Sequence, residues 1–163
     1  MTISGMPPTR PDWLTVIRRY LVAVMAGNLV WETAQMPLYT LWNTGTAREI
    51  AWAVFHCTLG DGVIAAVGLI ASLALAGSPA WPVQRAAAVI ISVLIISVSY
   101  TIYSEYINTT VKQSWAYTIW MPRLPWLGTG LSPLAQWLII PAVTLIWAGR
   151  GRRIRLIPAQ ENQ

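Results

Sequence analysis

Four ionisable side chains, Glu32, His56, Asp61 and Glu105, fall inside long apolar runs of this sequence. Carboxylates and an imidazole are the groups that move protons near neutral pH, above all when burial perturbs them. A charge at the centre of a bilayer costs about 2.5–3.5 kcal/mol on insertion scales, so such residues face a bundle interior and tend to act there. Interhelical hydrogen bonds return only about 0.6–2 kcal/mol each. The balance favours function over structural glue for a set that holds three of the chain's six acids and its only histidine.

Helical spacing gathers neutral polar residues around the four. Asn28, Glu32, Gln35 and Tyr39 recur at intervals of four, three and four, and so form one stripe on a first helix. Ser97, Thr101, Glu105 and Asn108 do the same on a third. On the second, His56 and Gly60 share one face while Cys57 and Asp61 share the adjoining one. His56 and Asp61 stand about 140° apart around an ideal helix, so both reach one cavity only by flanking it. At 1.5 Å rise per residue, Glu32, His56 and Asp61 lie roughly 14, 8 and 15 Å from the same end of their spans, and Glu105 about 3 Å. Helices that alternate in direction therefore bring all four into one half of the membrane.

The expected catalytic set is Glu32, His56, Asp61 and Glu105, with Glu32 and His56 as the leading proton-transfer pair. Gln35, Asn108, Asn28 and Trp115 are expected to orient a substrate. Glu32, His56 and Glu105 also have the donor types of a zinc, iron or manganese site, so a divalent metal is the cofactor these residues invite. No H-E-x-x-H or E-x-x-H motif is present, and such ligands would come from separate helices. There is no P-loop, nucleophile elbow or dinucleotide fingerprint. The single cysteine, Cys57, rules out an intrachain disulfide and a thiolate zinc cage.

The elements that must position these residues are membrane helices. Of 163 residues, 55% are hydrophobic and 10% charged, against about 25% charged in soluble domains. The apolar residues fall in four blocks, each near the roughly 20 residues that cross a bilayer. The expected fold is all-α: one membrane domain over 1–163, a four-transmembrane-helix bundle with spans at about 20–41, 51–76, 86–107 and 131–148. The stretch after Arg18-Arg19 runs on past Asn28, Glu32 and Gln35 without an A-x-A cleavage site, which marks a retained helix. Pro37 and Pro141 lie inside spans and are expected to kink them. The fourth span reads as almost wholly apolar. Residues 108–130 form a long outer loop rich in tryptophan, expected to rest on the bilayer surface or to fold over the helix ends as a lid.

Net charge is +5, and its placement argues for topology, not for nucleic acid. Arg10, Arg18, Arg19, Arg85, Arg150, Arg152, Arg153 and Arg155 collect at one end of the bundle; Arg48, Lys112 and Arg123 collect at the other. The positive-inside rule then puts both termini in the cytoplasm. The compartment expected is a bacterial inner membrane, with membrane lipid and a small lipophilic molecule as partners. Small residues such as Gly62, Ala66, Gly68 and Ser72 suit tight packing, within the chain or in a homo-oligomer or larger membrane complex. Three functions fit: acid–base or metal-assisted conversion of a lipophilic substrate, proton or small-solute transport, and a non-catalytic subunit or assembly factor.

Overall fold

Asp12 starts the first helix by accepting a hydrogen bond from the Thr15 backbone N–H at 3.3 Å, as a helix cap should. The computed structural model describes residues 12–150, which holds the four spans; Arg10, Arg152, Arg153 and Arg155 lie outside the described residues. Helix α1 runs Trp13–Gln35. Pro37 ends it where a kink was expected. Proline offers no N–H and crowds the preceding turn, so the chain tightens into a 3-10 turn, Met36–Leu38, and leaves it extended at Tyr39.

A single turn, α2 (Leu41–Thr44), leads to α3, Ala47–Ala76. Helix α3 starts four residues before the apolar run because Thr46 and Glu49 form a capping box. Thr46 N–H donates to Glu49 Oε2 at 2.8 Å, and Glu49 N–H donates to Thr46 Oγ1 at 3.3 Å. Helix α4 spans Ala86–Tyr106 and continues through one wider π turn, Ile107–Val111. Helix α5, Leu131–Arg150, keeps Pro141 inside it and buried. Four helical segments are long and apolar enough to cross a membrane, and the chain is an all-helical integral membrane bundle.

The helices form a ring in the order α1, α3, α4, α5: α1 packs on α3 and α5, and α4 packs on the same two. The half of the bundle away from the 112–130 loop holds the apolar core. Tyr20 and Val24 of α1 meet Ala65 and Leu69 of α3, Val89 and Val93 of α4, and Leu145 and Ala148 of α5, all buried in one cluster. Two glycines of α3 set its approach to its neighbours. A Cβ on Gly62 would strike Met25 of α1, and one on Gly68 would rest 3.4 Å from Ser97 Oγ of α4.

The loop is folded as a lid. Thr40 N–H donates to Ala116 O at 2.9 Å and Thr118 N–H to Leu38 O at 2.9 Å, which pairs the loop with the extended chain after α1. Leu131 N–H donates to Pro122 O at 2.8 Å and ties its far end to α5. The Tyr117 hydroxyl donates to Glu105 and accepts from Gly130 N–H at 3.1 Å. Its tip stays exposed at Ile119, Trp120 and Trp126. Tyr117→Phe should therefore loosen the loop by about 1–2 kcal/mol. Hydrogen exchange should rise across residues 116–130 and stay unchanged in the long helices; an unaltered loop would show that the backbone pairings suffice to hold it.

Candidate functional site

The polar half of the bundle is hollow. A cavity of about 880 Å³ lies under the lid, walled by α1, α3, α4, α5 and residues 113–116. Glu32, Asp61 and Glu105 all line it, each less than 10% exposed. They come from α1, α3 and α4, so helices distant in sequence deliver carboxyls to one space.

The side chain that joins two of them, Glu32 and Asp61, is Gln136 of α5, which is 1% exposed. Its Nε2 donates to Glu32 Oε1 at 3.0 Å, to Asp61 Oδ2 at 3.0 Å and to Asn28 Oδ1 at 3.3 Å. An amide nitrogen has two hydrogens, so three acceptors share two donors. The Glu32 and Asp61 carboxyls thus accept from one amide nitrogen, which sets them side by side. Gln35 adds a second donor: its Nε2 reaches Glu32 Oε1 at 2.9 Å and Gln136 Oε1 at 3.2 Å. Ser132 Oγ then donates to Gln35 Oε1 at 2.8 Å, and Trp31 Nε1 donates to Ser132 Oγ at 3.2 Å. Each donor is oriented by the next.

Glu105 sits apart from that network, paired with the Tyr117 hydroxyl, with the Trp115 indole beside it but not aligned for a hydrogen bond. Burial, followed by the charge of Glu105, pushes the Tyr117 phenol above its ordinary value; burial does the same for Tyr39, again reinforced by Glu105. Both therefore remain neutral donors across the physiological range. Arg123 lies over the Tyr117 ring, 5.1 Å from its centroid.

The other sequence-predicted residues take distinct places. Gln35 and Asn28 belong to the network, and Asn28 is fully buried with its Nδ2 unpartnered. Asn108 lines the cavity, but its amide bonds back to Ser104 on its own helix. Trp115 lines the cavity from the lid. His56 lines it too, yet it stands at the exposed rim, stacked on Trp52 at 6.1 Å, with no hydrogen bond to any of the three acids. The 140° separation of His56 from Asp61 thus appears as rim and floor of one cavity. Among the described residues, no three His, Cys, Asp or Glu side chains converge as a metal-holding set.

Gln136 and Tyr117 were not singled out in the sequence. The signal for Gln136 was present: it is the only side-chain amide in the last apolar run, one turn past Pro133. Tyr117 had no such signal, since its role depends on a loop folding back over α4.

Fold and site together define a polytopic membrane-helix bundle with an acid-lined cavity in one half of its thickness. No protein-family model, curated protein or solved structure matches the chain. Gln136→Leu should remove the donor common to α1, α3 and α5, and lower bundle stability by about 1–3 kcal/mol in detergent unfolding. Asn108→Leu, which breaks only bonds within α4, should cost well under half of that. Equal losses would mean that the amide of Gln136 is not what joins the helices.

Proposed function

We propose that the cavity binds a small lipophilic molecule and exchanges a proton with it through the Glu32–Asp61 carboxyl pair. The observation that carries this reading is the pair itself: two carboxyls each 3.0 Å from the same amide nitrogen, inside a cavity of ligand size. Like charges at such range do not both persist, so the pair holds a proton between its oxygens. A polar group of the ligand takes that proton, and the pair recovers it when the ligand leaves or rearranges. Glu105 and Tyr117 supply a second acid and donor at the lid, while His56 and Trp52 meet the ligand at the rim. A metal-assisted version would draw on Glu32, His56 and Glu105, whose side chains stand apart as the cavity is built.

The apolar core supports a one-sided site over a transport path, because Val24, Leu69 and Val93 are packed in it without a polar lining. The arginine distribution supports both termini in the cytoplasm and the lid on the outer face of a bacterial inner membrane.

Two measurements test this. In lipid-polymer discs made directly from membranes, a small lipophilic compound should co-purify with the wild type and appear in its mass spectrum. Asp61→Asn and Glu32→Gln should each lower its occupancy at least tenfold while the protein stays folded. Undiminished occupancy in both would dismiss the carboxyl pair as the site. For topology, single cysteines placed at Ser78 and Trp126 in a Cys57→Ser chain should differ in intact cells. A membrane-impermeant maleimide should label position 126 and spare position 78, and the reverse pattern would invert the orientation.

A further inference from the structure

The top and the side of the cavity differ. Over the top, the lid is pinned at both ends by backbone hydrogen bonds and in its middle by Tyr117. At the side, between α3 and α4, the cavity lining reaches the bundle surface. The two helices touch where Gly68 meets Ser97, but eight residues away, about 12 Å along the axis, a Cβ on Gly60 would meet nothing within 4 Å. Several cavity-lining residues are exposed on the bundle surface: Trp52, His56, Gly60 and Val63 of α3, and Tyr100 of α4. These rim residues are mainly apolar and aromatic, as a lipid-facing opening requires.

The floor has the opposite character. Three carboxyls line it, and their hydrogen-bond donors are limited to Gln35, Gln136 and Tyr117. Among the described residues, no lysine, arginine or histidine pairs with any of them. The site has surplus acceptors and lacks a cation. Beside it, the fully buried Asn28 keeps an amide hydrogen-bond donor with no protein partner. An ammonium group brings three donors and a positive charge, and the aromatic walls Tyr39, Trp115 and Trp137 favour a cation among them.

We infer that the ligand is a single-chain amine, taken sideways from the bilayer between α3 and α4 and held as its ammonium ion once it has accepted the proton of the Glu32–Asp61 pair. Its head lies against Glu32, Asp61 and Glu105, and its hydrocarbon chain passes Gly60 and His56 into the leaflet on the lid side. This rests on the proposed cavity function and adds the route and the head-group class.

The open space at Gly60 supplies the test, because a side chain added there starts from a Cβ that meets no neighbour and stands on the cavity rim. Gly149, near the far end of α5, is equally open and serves as the matched control. Binding of radiolabelled hexadecylamine is measured in phosphatidylcholine nanodiscs, with hexadecanol as competitor and thermal unfolding as the check on fold. Gly60→Trp, and Gly60→Leu should the former unfold, is expected to weaken binding at least tenfold, while Gly149→Trp binds as wild type. Hexadecanol in tenfold excess should displace little, and Asp61→Asn should bind at least tenfold more weakly. Wild-type binding by both Gly60 variants alongside loss in Asp61→Asn would overturn the lateral route and leave the cavity reading standing. Equal competition by the alcohol would overturn the ammonium head. Wild-type binding in Asp61→Asn and the Gly60 variants alike would overturn the cavity reading itself.

Discussion

One amide governs the polar half of this bundle. Gln136 Nε2 carries two hydrogens and faces three acceptors, on Asn28, Glu32 and Asp61. Inside a membrane no water stands ready to satisfy an acid, and each unsatisfied polar group costs several kcal/mol. For Asp61 the donor comes from another helix, and its reach of about 3 Å dictates how closely α3 and α5 come together at that level. Gln35, Ser132 and Trp31 then hold the donor set in a single arrangement. A hydrogen-bond network that spans three helices restricts them far more than apolar contact, which is equally good in several registers.

The rest of the bundle can be understood as accommodation to that site. Opening a cavity forfeits packing contacts, and the far half offsets the loss with a closely packed core of Tyr20, Leu69, Val93 and their neighbours. Gly62 and Gly68 bring α3 onto α1 and α4, while Gly60 leaves a gap on its third side. Within nine residues, the same helix thus contributes a tight contact, a catalytic-type carboxyl and an opening. Pro37 ends α1 soon after Gln35, and the freed strand of chain becomes the partner on which the lid rests. Local rules broken at a buried polar site are the usual mark of function.

Much of this was legible without coordinates. The four spans follow from apolar length, and the polar stripes follow from the 3.6-residue period, because backbone hydrogen bonding within a bilayer leaves the chain little choice but helix. The depth of Glu32, Asp61 and Glu105 follows from counting residues at a fixed rise, and all three do line one cavity. His56 was legible as a flanking residue from its angle to Asp61, though not as an exposed rim residue stacked on Trp52. The limits of α1 and α3 shifted by four to seven residues, since Asp12 and Thr46 cap outside the apolar runs and Pro37 stops α1 early.

By itself the sequence determined an all-helical membrane chain, its charge asymmetry, and the level at which its acids sit. Those are properties of single helices and of their lengths. The tertiary structure decided that Gln136 joins Glu32 and Asp61, that Tyr117 closes the lid on Glu105, and that the cavity reaches the bundle surface at Gly60. The reason is geometric. Which helix faces which, and with what rotation, depends on side-chain packing between segments as far as 108 residues apart in the chain, and no local period records it.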